Sequence, residues 1–305
     1  MIYLCCYIAS SIAFHQLFRF GQQKKTDVLS TAAVNYSVAA ALTLAWYLIA
    51  GHGEVDRRLV VYGLCNGIVY YVSLPVLLRA YQLAGVGVTV AVLFTSNLSP
   101  VIIGFLLWDD SVTNMQWIAL VLVPVAIFLV RPRDGGTGGS IKGGVKADIL
   151  LVLLFVMGSV MMTTHKAASR IVENDSQLLY NACVFAAAMA ASVGYALYAR
   201  LRVTKFDCGL GLGIGVANTL NIVFLLLSLG VMSTAIVFTT AGAVVISLNL
   251  AVSWMLWKEA IDRRQALGIV LAILVVVLTN FGRGPDQFHI LTPLPPVEVA
   301  EAGPP

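Results

Sequence analysis

The chain is a succession of unbroken apolar runs, each near twenty residues long, set apart by short polar stretches. Roughly twenty helical residues cross the ~30 Å hydrocarbon core of a bilayer. Lipid offers no partner to a free backbone N–H or C=O, so spanning segments are helices or closed barrels. Barrel strands alternate polar and apolar residues over about ten positions, and these runs do not alternate. Hydrophobic residues make up 59% of the 305 and charged residues 11%. A soluble domain carries about a quarter charged residues, so this chain lacks the polar groups to cover a water-facing surface. These features predict an all-α integral membrane protein.

Ten transmembrane helices are expected, at 2–20, 29–50, 59–83, 86–108, 115–130, 147–166, 177–198, 209–229, 231–257 and 265–281. Between the fifth and sixth lies Gly135-Gly136-Thr137-Gly138-Gly139-Ser140, a composition that predicts a flexible surface connection. Pro293, Pro295, Pro296, Pro304 and Pro305 follow the tenth and predict disorder. The expected organisation is a first five-helix unit at 1–131, a linker at 132–146, a second five-helix unit at 147–282 and a disordered tail at 283–305. The first helix has no basic n-region and no small-residue cleavage site, so it reads as a retained span.

The two units resemble each other. Leu107-Trp108-Asp109-Asp110 with Gln116 matches Leu256-Trp257-Lys258-Glu259 with Gln265 without a gap, at an offset of 149. Arg19 and Asn35 match His165 and Asn181 at 146, and Asn66 matches Asn218 at 152. A repeat with an odd number of spans inserts its second copy from the opposite side, so the two five-helix repeats are expected to be inverted. Inverted repeats build many secondary transporters, with substrate held at the repeat interface near the bilayer midplane.

Three stretches also resemble the drug/metabolite transporter superfamily, of the EamA-like kind. In the first, 85–131, an apolar helix holding Ser99-Pro100 ends at Leu107-Trp108-Asp109-Asp110, followed by Gln116 and another apolar helix. The family usually has a Pro in helix 4 and a Gly-Glu pair at its end; here Asp110 stands for the Glu. The second copy keeps Glu259, lacks the Pro and has Lys258 where the Gly usually sits. The third, Asn35-Tyr36-Ser37-Val38-Ala39-Ala40, is similar to an Asn-Tyr-x-x-Ala pattern of bacterial relatives. The resemblance covers about residues 1–282. It implies a multi-pass protein of the cell membrane, in bacteria the inner membrane. It also implies a central cavity lined by helices 1–4 and 6–9, with helices 5 and 10 peripheral. The function it implies is secondary, non-ATP transport of a small polar metabolite by alternating access, as efflux or exchange. A flippase-like carrier of a lipid-linked or amphipathic substrate is the alternative.

Intramembrane polar groups are costly and so mark candidate sites. The candidate substrate-binding set is His15, Asn35, Tyr36, Asn66, Tyr70, Asn97, His165, Asn181, Asn218 and Asn221. His15 suits a substrate or proton ligand, because imidazole titrates near neutrality when unperturbed; it equally suits an ordinary hydrogen-bonded interfacial residue. The asparagines suit substrate binding or hydrogen bonding between helices, and the tyrosines suit the cavity or the interfacial aromatic belt. All 15 acidic residues fall in loops, helix ends or the tail, which counts against proton coupling through a buried carboxylate.

No catalytic, metal or cofactor site is expected. There is no Gly-x-Ser-x-Gly elbow, no His-Glu-x-x-His, and no metal-type spacing among Cys5, Cys6, Cys65, Cys183 and Cys208. The expected partners are a small-molecule substrate and the lipid bilayer, with no nucleic acid, in a monomer or homodimer. The sequence leaves orientation open. Of the 19 Lys and Arg, Arg57, Arg58, Lys166, Arg170 and Arg283 fall on the N-terminal side, and the others fall opposite. The positive-inside rule then puts both termini outside, whereas the resemblance implies both inside.

Overall fold

A computed structural model describes residues 2–50, 55–96, 99–108, 113–130, 144–171, 177–231, 234–258 and 261–281. Most of the linker and all of the tail lie outside them. Among the described residues there are eleven α-helices and no strand: α1 (Ile2–Gln23), α2 (Val28–Ala50), α3 (Arg57–Ala84), α4 (Val86–Thr95), α5 (Ser99–Trp108), α6 (Asn114–Val130), α7 (Val145–Ile171), α8 (Gln177–Tyr198), α9 (Lys205–Val231), α10 (Thr234–Trp257) and α11 (Arg263–Phe281).

Among the described residues, five helical stretches are long and apolar enough to cross a membrane: Val28–Ile49, Arg57–Ala84, Val145–His165, Leu178–Tyr198 and Lys205–Leu225. Val86–Thr95, Asn114–Ala126 and Ala241–Trp257 are shorter and apolar. Five spans are fewer than the ten expected. The expected fourth helix forms two pieces, α4 and α5, of 10 residues each. At 1.5 Å per residue each reaches about 15 Å, half the hydrocarbon core. Pro100 sits in the first turn of α5, where a missing N–H is tolerated, and not inside a continuous helix. Gly85 turns the chain between α3 and α4 at φ 84°, a conformation that other residues adopt at a cost.

Polarity runs inside-out relative to a soluble protein. Ser30, Asn35, Thr89, Asn249 and Ser253 are fully buried, while Leu107, Leu197 and Met255 are 69%, 74% and 67% exposed. Apolar exposure on this scale is costly in water; in lipid it is the required surface. The distribution is compatible with a multi-pass membrane protein.

Contacts fix the helix directions. Near the start of α1, Tyr7 accepts a hydrogen bond from Asn221, late in α9, and near its end Gly21 packs on Leu210, early in α9. These two helices are antiparallel. The last turns of α1 also meet the last turns of α3 and α10, through Gln22 to the Leu78 carbonyl and Trp257 to Gln16. We call the end where α1 stops the far end. The α3/α8 pair begins together at the near end, because Gly63 packs on Tyr180 and Cys183, and Gly67 on Val184 and Ala187. The α2/α9 pair is built alike, with Gly211 on Thr31 and Val34, and Gly215 on Asn35 and Val38. A Cβ at Gly211 would lie 2.6 Å from the Val34 Cβ, and one at Gly215 would lie 2.7 Å from the Val38 Cβ. Only glycine lets the backbones approach this closely.

These two seams correspond at offsets of 148 (Gly63 against Gly211) and 149 (Val34 against Cys183). The helix starts agree: Val28 with Gln177, Arg57 with Lys205, and Asn114 with Arg263. So do the caps. Thr113 and Gln116 exchange reciprocal bonds at the start of α6, as Asp262 and Gln265 do before α11, the capping-box arrangement. The asparagine matches at 146 and 152 are out of step with this spacing. It sets Asn35 opposite Val184, and Asn218 opposite Tyr70.

Candidate functional site

The candidate residues fall into three groups along the bundle. At the far end, α1, α3 and α10 meet around His15 and Gln16. The His15 Nδ1 lies 2.6 Å from the Tyr81 hydroxyl, and its ring stands edge-on to Tyr81 and Phe14. Gln16 Nε2 donates to Asn249 Oδ1 at 3.0 Å, and Trp257 Nε1 donates to Gln16 Oε1 at 2.6 Å. Asn249 Nδ2 donates to the Val245 carbonyl at 3.0 Å. Gln16 therefore uses both ends of its amide to tie the first half of the chain to the second.

At the near end, Asn66 of α3 donates from Nδ2 to the Tyr180 hydroxyl of α8 at 2.6 Å. The His165 ring of α7 lies edge-on to Tyr180, with centroids 5.0 Å apart. Asn66 is buried, and its Oδ1 has no hydrogen-bond partner among the described residues.

Between these ends, Asn218 of α9 donates from Nδ2 to Asn35 Oδ1 of α2 at 3.4 Å. Asn35 is fully buried, and its Nδ2 is without a partner among the described residues. The next residue, Tyr36, donates its hydroxyl to the Tyr70 carbonyl at 3.1 Å, and the Tyr70 ring stands edge-on to Phe185. Asn221 donates to the Tyr7 carbonyl at 3.4 Å. Asn181 is buried on α8. Asn97 lies outside the described residues. Asn35 and Asn218, expected to belong to separate duplicated pairs, thus meet each other directly.

Sequence reasoning passed over Gln16, Tyr81, Asn249, Tyr180 and the glycine seams. The spacing Gly63-x-x-x-Gly67 and Gly211-x-x-x-Gly215 carried a legible signal for close helix approach. Gln16 and Asn249 were legible as polar residues inside apolar runs, but their meeting across 233 positions was not.

The buried polar groups of these clusters are amides, hydroxyls and the His15 imidazole. The described carboxylates, Asp27, Asp56, Asp148, Asp207 and Asp262, stand just before a helix or in its first turn, where the helix dipole favours negative charge. Asp207, for example, accepts from Thr204 N and Oγ1 at the start of α9. Asp56 caps α3 and accepts from the Arg58 side chain and backbone, which hold its carboxyl below the usual range. Among the described residues no three of His, Cys, Asp and Glu gather as a metal site would require.

No family model and no curated protein matches the chain. Among solved structures, one described only as "Crystal structure of protein" aligns over 90% of this chain and 95% of that one, with a TM-score of 0.60 and 13% identity. At that identity the likeness is one of fold.

Proposed function

We propose that the chain is a secondary transporter of a small polar metabolite, built as two inverted five-helix repeats of the drug/metabolite transporter kind. The corresponding seams, helix starts and capping boxes, 148–149 residues apart, support the duplication. Helix direction supports the inversion. The start of α3 lies at the near end and the start of its counterpart α9 at the far end, since α1 runs antiparallel to α9 and finishes beside the end of α3. In this reading α4 and α5 together make one span, which brings the count to ten.

Packing between the halves supports alternating access. α3 packs on α8 and α7, α2 on α9 and α8, α1 on α9 and α10, and α6 on α11. Each of these interfaces joins the first half to the second, so rocking one half against the other changes them together.

The observation that carries the reading is the pair of buried, half-satisfied amides, Asn35 Nδ2 and Asn66 Oδ1, at interfaces between the halves. A buried group left without a hydrogen bond costs about 1–3 kcal/mol. A polar substrate that bonds to such a group recovers that cost, and the outward apolar surface leaves the inter-half interface as its path. The groups that meet Asn35 and Asn66 are an amide and a hydroxyl, which favours a substrate without strong net charge.

The test combines purified protein in liposomes with a panel of small polar metabolites, and cells carrying Asn35→Leu, Asn66→Leu or the native chain. Uptake or release of at least one panel member, reduced at least tenfold in either variant while protein levels hold, is the expected result. If no panel member moves and the metabolite pools of all three cell lines coincide, the transport reading fails.

A further inference from the structure

The three non-glycine residues with left-handed backbone among those described are Lys25, Arg200 and Lys258, at φ 57°, 51° and 53°. Each directly follows or closes the end of a helix: α1, α8 and α10 respectively. All three helices stop at the far end. For α1 and α10 this follows from the Trp257–Gln16 bond, and for α8 from its parallel start with α3. Lys25 and Arg200 occupy the same capping motif. Lys25 N bonds the Gln22 carbonyl and Thr26 N the Gly21 carbonyl; Arg200 N bonds the Leu197 carbonyl and Leu201 N the Ala196 carbonyl. That motif ordinarily takes glycine, because a Cβ strains the left-handed position. Here the strained position holds a cation three times, always at one end of the bundle.

Capping accounts for only part of this charge. A cation after a helix C-terminus complements the helix dipole, but one at an N-terminus opposes it. Lys205 opens α9, Arg263 and Arg264 open α11, and Lys146 is the second residue of α7, all at the far end. Arg57 and Arg58 open α3 at the near end, but Asp56 takes up Arg58 there in a 3.1 Å ion pair. At the far end, Asp27, Asp207 and Asp262 are engaged in capping their own helices, and Asp148 lies in the first turn of α7. Lys24, Lys25, Arg200, Arg202, Lys205 and Lys258 are exposed there.

We propose that the far end is a docking face for anionic phospholipid headgroups, that it sits on the anionic cytoplasmic leaflet, and that Ile2 and Phe281 consequently lie on the opposite side of the membrane. The physical basis is twofold. Basic groups within a Debye length of an anionic leaflet are attracted to it, and Lys and Arg next to spans are retained on the cytoplasmic side. Hydration alone would satisfy scattered lysines, but it gives no reason for left-handed strain to fall on cations at one end only. The proposed orientation departs from the one that the drug/metabolite transporter resemblance implies, with both termini inside, and it does not rest on what the chain transports.

The experiment has two arms. In the first, intact and permeabilised cells expressing the full chain are treated with a membrane-impermeant amine reagent, and modified lysines are read by mass spectrometry. Labelling of Lys24, Lys25, Lys205 and Lys258 only after permeabilisation is expected; labelling in intact cells overturns the orientation. In the second, the protein and a triple variant, Lys25→Gly, Arg200→Gly and Lys258→Gly, are melted in nanodiscs of phosphatidylglycerol or phosphatidylcholine. Glycine relaxes the left-handed backbone as it removes each exposed cationic side chain, so the variant should fold at least as well in phosphatidylcholine. The native chain should melt higher in phosphatidylglycerol, the gain should fade at high salt, and the variant should lose most of it. Equal melting of the native chain in both lipids, or an undiminished gain in the variant, overturns the docking face.

Discussion

At the residue scale, the molecule is defined by amides placed where a hydrocarbon-like interior leaves them few partners. Asn66 and Tyr180 are tied by one 2.6 Å bond across α3 and α8. Hydrogen bonds between membrane helices contribute about 0.6 kcal/mol on average and up to ~2. Tyr180→Phe should therefore lower stability by about 1 kcal/mol, while leaving Asn66 wholly unpaired; Asn66→Leu should cost no more, because it removes the polar group as well. Equilibrium unfolding in detergent measures both, and a much larger loss for Asn66→Leu than for Tyr180→Phe would contradict this account. Asp56 offers a pH test. Its carboxyl is held low by Arg58, so its contribution to the α3 cap is present above the ordinary carboxylate range and disappears as pH falls through the lowered value. Melting curves of Asp56→Asn and the native chain should differ at neutral pH and converge in acid. The chemical types of the candidate site were legible in sequence, since Asn, His and Tyr inside apolar runs stand out. Their partners were not, because Asn35 and Asn218 meet across 183 positions.

At the element scale, glycine seams set how close the helices come. A Cβ at Gly215 would fall 2.7 Å from the Val38 Cβ and 2.8 Å from the Asn35 carbonyl oxygen. Backbone cannot move aside as a flexible side chain can, so Gly215→Ala should force α9 off α2 and cost about 1–3 kcal/mol. A Cβ at Gly194 on α8 would meet nothing within 4 Å, and Gly194→Ala should stabilise by up to about 1 kcal/mol through helix propensity alone. Thermal unfolding of the two variants should move in opposite directions. The paired capping boxes add an internal control: Gln116→Ala and Gln265→Ala should each destabilise by about 0.5–1 kcal/mol. Helix boundaries were largely legible, because hydropathy and cap residues mark them in one dimension. The break between α4 and α5 has a local mark too, Thr95-Ser96-Asn97 with Ser99 and Pro100, but local composition does not say whether such a run kinks one span or ends a helix.

At the scale of the whole molecule, an apolar exterior encloses an interior that carries its polar groups at inter-half interfaces. If the halves move against each other as proposed, the far-end ties from Gln16 to Asn249 and Trp257 must break whenever that end opens. Gln16→Leu should then raise the reactivity of cysteines introduced near Trp257 toward a water-soluble thiol reagent by several-fold, measured by mass shift on a cysteine-free background; unchanged reactivity would show that these ties do not gate the end. By itself the sequence determined the helical character of this protein and the long apolar runs that are compatible with a multi-pass membrane protein. Those follow from composition and periodicity, which local residue order carries completely. Tertiary structure alone decided which glycines pack against which helices, at spacings of 148 and 149 that differ from the 146 and 152 of the asparagine matches. It also decided which amides meet, and that the strained cations share one end. The reason is physical: close packing is set by shape at contact, and the residues that make these contacts are distant in the chain and of commonplace types.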